Sequence, residues 1–125
     1  MTTISIGYTT NWERTFTEQD VVLFAEISGD KAAHHTEKDA EGRLMVHGLL
    51  TATIPTKIGS IIDFIAREIT FEFVRPVFTG DTVSCVLTIN EVEPSPNYTK
   101  IAATFVCTNQ HGKKVLKGSS RGVVR

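Results

Sequence analysis

Residues 28–35, Ser-Gly-Asp-Lys-Ala-Ala-His-His, put a carboxylate and two imidazoles into one short stretch. Imidazole is the side chain best suited to moving protons near neutral pH, and a nearby carboxylate can orient the ring or a water molecule. Asp30 and His35 are therefore the candidate proton-transfer pair. His34 reads as a solvent-facing loop residue; adjacent histidines could bind a stray metal, but their spacing is poor for a closed zinc site. Acid-histidine pairs are common in loops, so the meaning of this one depends on what surrounds it. Farther along, His47 directly precedes Gly48 and reads as a core histidine bonded to the backbone. His111 falls in a hairpin turn and reads as structural. Cys85 and Cys107 lie in separate alternating apolar segments with no partner at metal-ligand spacing, which makes them small buried hydrophobes.

The elements that must position these residues are well signalled. In FTEQDVVLFAEISGD, Thr17 can cap a helix, Asp20 completes a box-like cap, and Phe16 can staple onto Val21. Val21, Phe24, Ala25 and Ile27 recur at helical spacing, and Gly29 is a natural stop. The acid-histidine stretch thus begins where a helix ends, a place where side chains can be held yet remain accessible. LMVHGLLTATIPTKIGSIIDFIAR is apolar on most faces and predicts a buried helix, kinked or restarted at Pro55. From Glu68 the period changes to two. Segments around Phe71, Leu87 and Phe105 predict three strands separated by turn signals, and KKVLKGSSRGVV predicts a last, weaker one. With a short amino-terminal strand expected around Ile4 to Tyr8, the class is α+β: about five antiparallel strands facing one apolar helix.

The order of these features resembles the MaoC-like dehydratases, or R-specific enoyl-CoA hydratases, of the hot dog fold. The resemblance rests on a capped helix leading into Ser28-Gly29-Asp30, a histidine at position 35, His47-Gly48 opening a buried helix, the stretch FVRPVFTGDTV, and the final meander. It spans essentially residues 1–125 and implies one hot dog domain, a curved antiparallel sheet wrapped around a long central helix. It implies that Asp30 and His35 are catalytic. It also implies that the Gly48 N–H serves as an oxyanion donor and that Thr56 and His47 line the substrate site. Where the family motif has Asn, Pro and an aliphatic residue, this chain has Ala32, Ala33 and His34. Reversible hydration of trans-2-enoyl thioesters of coenzyme A or acyl carrier protein, to R-3-hydroxyacyl thioesters, is the activity implied, with a place in fatty-acid metabolism. The scheme needs no metal or organic cofactor. A homodimer with the acyl channel at its interface is the implied minimal unit.

Composition agrees with a globular domain: 125 residues, 41% hydrophobic, 22% charged, net charge -1. No Lys/Arg block offers a footprint for nucleic acid, and no apolar run approaches the roughly 20 residues of a membrane span. A cytoplasmic location is the default expectation. Two other readings stay open. A non-catalytic acyl-CoA-binding module would keep the channel and lose the loop chemistry, which the Ala32-Ala33 departure favours. A thioesterase would place a carboxylate on the central helix, and residues 48–62 contain none. Arg75 and Pro76 read as strand and loop structure; Phe71 and Phe73 read as core or sheet-face residues.

Overall fold

Alternation of apolar and polar residues from Thr82 onward becomes the meander it predicts. The computed structural model describes residues 4–125 and runs β1 (Thr9–Thr15), α1 (Glu18–Ser28), α2 (Ala33–Thr36), α3 (Gly48–Thr51), α4 (Thr53–Ile61), β2 (Phe64–Phe73), β3 (Thr82–Pro94), β4 (Thr99–Thr108) and β5 (Lys114–Val124). All neighbours in the five-stranded sheet are antiparallel, in the order β1-β3-β4-β5-β2. Register shifts between Ala66 and Glu68 in β2 and between Ile89 and Glu91 in β3 mark bulges, which bend strands and raise their twist. Helix α4 buries Ile54 and Ile58 in one core with Val83, Cys85, Leu87, Phe105 and Leu116 of the sheet. This is the α+β hot dog architecture. Cys85 and Cys107 sit opposite each other in β3 and β4, fully buried, and the Cys85 side chain and burial together push the Cys107 thiol up.

Two expected boundaries are corrected. The amino-terminal strand is Thr9–Thr15, not Ile4 to Tyr8. It is a polar edge strand with most side chains exposed, so no apolar alternation marks it. The buried helix is shorter than its apolar composition suggests. Residues 44–47 are extended, the helical run breaks at Ala52, and Phe64 already belongs to β2. The restart expected near Pro55 is present: α3 ends at Thr51 and α4 begins at Thr53, which places Pro55 in the first turn of α4, where a missing N–H removes little. Ile27, expected on the apolar face of α1, is 85% exposed.

Helix α1 begins as its sequence dictates. The Thr17 hydroxyl accepts from the Asp20 N–H at 3.2 Å and the Asp20 carboxylate accepts from the Thr17 N–H at 2.9 Å, closing the capping box. Burial pushes the Asp20 carboxyl up, but the Thr17 N–H and the Arg14 guanidinium outweigh it and hold the group below its ordinary 3.8. A depressed folded pKa gives stability that is present above 3.8 and lost as pH falls through the lower folded value. Thr17→Ala is therefore expected to lower stability by about 1 kcal/mol in urea unfolding at neutral pH. Asp20→Asn is expected to flatten the decline of the urea midpoint below that pH; an unchanged acid limb would contradict the assignment.

Candidate active site

Gly29 closes α1 in the left-handed conformation (φ 77°), a turn that glycine makes without strain, and it delivers Asp30 to the surface beside the helix end. Two short local bonds shape the loop beyond it. Ser28 Oγ accepts the Asp30 N–H at 3.0 Å, and Asp30 Oδ1 accepts the Ala32 N–H at 3.3 Å. One helical turn, α2, then carries His34 and His35, so the absent motif proline does not prevent a defined loop.

His35 is turned inward, 6% exposed, and its orientation is fixed from a distant segment. Its Nδ1 lies 2.7 Å from the Met45 carbonyl oxygen. A carbonyl can only accept, so Nδ1 carries a proton, and in the neutral ring the lone pair is on Nε2. That Nε2 faces the Asp30 carboxylate, Oδ2, at 3.6 Å, a separation longer than a direct hydrogen bond. Met45 owes its position to FVRPVFTGDTV. Val46 N–H donates to the Val77 carbonyl at 2.7 Å, Thr79 N–H donates to the Leu44 carbonyl at 2.9 Å, and Met45 pairs with Phe78. The same stretch thus also holds the segment that seats His35.

Asp30, His35 and Gly48 line one cleft of about 580 Å³, together with Phe73, Leu49 and Met45. Gly48 opens α3, and α4 follows it after the single turn residue Ala52. A side chain at Gly48 would come within 2.6 Å of the Phe73 ring, so glycine here lets that aromatic lie against the start of the helix. His47 borders the cleft but is only 2% exposed. Its Nε2 lies 2.9 Å from the main-chain carbonyl of Asp30, and its ring stacks on His35 at 3.7 Å and 16°. His34 is exposed at the cleft, its ring 4.0 Å from that of His35. Thr56 is not brought to this cleft. Its hydroxyl donates to the Ala52 carbonyl at 2.9 Å, and it lines a separate apolar cavity of about 100 Å³ between α4 and the sheet, with Gly59, Ile69, Phe71 and Phe105. Met45 was missed by sequence reasoning, because it acts through a carbonyl that every residue possesses.

Ligand atoms of Asp30, His35 and His47 lie within 4.8 Å of one another, yet the group is badly shaped for a metal. Two imidazoles stacked nearly face to face direct their in-plane lone pairs side by side instead of at one point. What the arrangement can do is move a proton between His35 Nε2 and a water or carbon held in the cleft.

A five-stranded antiparallel sheet on a helical run, with Asp30 and His35 in a cleft beside the start of that run, defines a hot dog domain. Residues 2–110 match the MaoC like domain, and the chain belongs to that family. An (R)-specific enoyl-CoA hydratase of Rhodospirillum rubrum is 27% identical over 97% of this chain and 88% of its own. A 3-hydroxybutyryl-CoA dehydratase of Methylorubrum extorquens is 28% identical over 81% of this chain and 70% of its own. The solved (R)-hydratase of A. caviae superposes with a TM-score of 0.86 at 21% identity over 100% of both chains, a likeness of fold.

Proposed function

We propose that the protein reversibly hydrates trans-2-enoyl thioesters of coenzyme A or acyl carrier protein to R-3-hydroxyacyl thioesters. The observation that carries this reading is the His35 ring: Nδ1–H spent on the Met45 carbonyl, Nε2 free and facing the Asp30 carboxylate at 3.6 Å. A water held between them gives its proton to Nε2 as its oxygen attacks C3 of the enoyl chain. The imidazolium so formed is the acid at hand for C2, and returning the same proton there completes the addition with atoms and charge balanced. Asp30 orients the water and stabilises the imidazolium meanwhile. The Gly48 N–H, at the head of the helical run, is the donor for the enolate oxygen that develops on the thioester. The apolar cavity beside Thr56 and Gly59 suits the acyl tail, with a short or medium chain favoured. No metal or organic cofactor enters the scheme.

Pairing of two copies goes with this reading. β2 is an edge strand whose Ile65, Ile69 and Phe73 are 47%, 46% and 52% exposed, an apolar edge that a second copy would cover. Among the described residues, no helix is long and apolar enough to cross a membrane.

The test is loss of the conjugated enoyl absorbance with crotonyl-CoA and longer 2-enoyl-CoAs, with chiral analysis of the product. Turnover to the R product is expected. Release of free thiol would instead favour a thioesterase, although the helical run over residues 48–61 holds no carboxylate. Thioester binding without turnover would favour a non-catalytic acyl-CoA-binding module, the reading to which Ala32 and Ala33 point.

A further inference from the structure

We propose that His47 is a positioning residue for the proton-transfer pair, holding the Asp30 main chain through Nε2–H and backing the His35 ring, without touching substrate. The inference rests on the hydratase reading for its kinetic consequence, but not for its structural one.

The tautomer of His47 is set by its partner. Nε2 lies 2.9 Å from the Asp30 carbonyl oxygen, which accepts only, so the proton sits on Nε2. That leaves Nδ1 a bare lone pair, buried and without a hydrogen-bond partner among the described residues. Unsatisfied buried acceptors destabilise a fold, and an apolar side chain of the same shape would avoid the penalty. As a core residue His47 is therefore a poor choice; as a donor to Asp30 it has a reason to be there. With 2% of its surface exposed, it offers substrate almost nothing to touch.

Residues 34 and 35 are tied to Met45, whose N–H donates to the His34 carbonyl at 3.0 Å and whose carbonyl meets His35 Nδ1 at 2.7 Å, but the residues before them need a donor of their own. Across residues 29–33, every other hydrogen bond or ion pair among the described residues reaches only to residues 25–37: Ala25, Glu26, Ser28, His35, Thr36 and Glu37 are the partners. The His47 bond is the one that ties this segment to the start of α3, the same point that presents Gly48 to the cleft. Ala32 and Ala33 supply neither a side-chain amide nor a ring to stiffen the stretch from within. The tether from His47 sets the distance between the Asp30 backbone and the helix start. The stack at 3.7 Å and 16° sets the plane of the His35 ring. One side chain thereby fixes three parts of the site relative to each other.

The test compares His47→Gln with His47→Met. These side chains are close in length and both lose the ring, but only glutamine can donate to the Asp30 carbonyl. With crotonyl-CoA, kcat of the Met variant is expected to be at least about tenfold below that of the Gln variant, with KM within twofold, since small misplacements of reacting groups act on rate. Backbone amide exchange across residues 30–35 is expected to be faster in the Met variant than in the Gln variant. Equal kcat values and equal exchange would overturn the proposal, and a rise in KM at constant kcat would make His47 a substrate contact instead. Should both variants fail to fold, His47→Phe, which refills the ring's space without a donor, decides by the same comparison with wild type. Failure of the hydratase reading is separate: the wild type would then turn over no enoyl thioester, while the exchange difference would still report the tether.

Discussion

Replacement of His35 by Asn is expected to abolish most enoyl-thioester hydration while leaving the fold intact. The asparagine amide occupies the place of Nδ1 and can still donate to the Met45 carbonyl, the 2.7 Å bond that seats the residue. What disappears is Nε2, the ring nitrogen that faces the Asp30 carboxylate. General acid-base catalysis by one group typically contributes a factor of about 100 to 10,000, and kcat is expected to fall within that range. Asp30→Asn keeps an oxygen to accept the Ala32 N–H but removes the charge that stabilises the imidazolium, so it is also expected to lose about 100-fold. Steady-state assays on crotonyl-CoA, with thermal unfolding as a control, check both. If His35→Asn kept more than half of the wild-type kcat, proton transfer would have to be assigned elsewhere. His34, exposed at the mouth of the cleft, would be the next histidine to test.

Asp30 and His35 were legible in the sequence because local rules place them. A capped helix must end at Gly29, and the residues just past a helix end are held yet accessible. The meander was legible for a similar reason, since Val83, Cys85, Leu87 and Ile89 all turn to the core on one face of β3. Long-range contacts were not legible. Nothing in the residue type of Met45 announces that its carbonyl sets the tautomer of His35. Nor does FVRPVFTGDTV disclose that its backbone holds residues 44–46. Edge strands failed too: β1 reads TTNWERT, polar but for Trp12. Ile69 and Phe73 alternate as a core strand would, yet both are about half exposed, because the sheet ends at β2. Thr56 was placed by resemblance to relatives and lies in a different cavity from the pair it was grouped with.

The last strand teaches the opposite lesson, since its apparent weakness is a packing requirement. β5 reads KVLKGSSRGVV, poor in β-formers, yet it is an interior strand paired with β4 on one side and β2 on the other. Gly118 stands between Phe105 of β4 and Phe71 of β2, whose rings meet edge-on at 5.7 Å. A Cβ at Gly118 would collide with the Thr70 carbonyl oxygen and fall 2.7 Å from the Phe105 ring. The first of these is backbone in a paired strand and cannot swing away. Gly118→Ala must therefore push β2 off β5, and it is expected to destabilise the fold by about 3 kcal/mol or more, roughly 10 °C in Tm. Ser119→Ala, at the exposed neighbouring position, is expected to leave the urea midpoint unchanged. Because Phe71, Phe105 and Ile69 also wall the cavity beside Thr56, any folded Gly118→Ala protein should handle longer acyl chains differently from crotonyl-CoA. A wild-type midpoint for Gly118→Ala would show that β2 has slack to yield. The two aromatics, and not the glycine between them, would then be what sets the spacing of the strands.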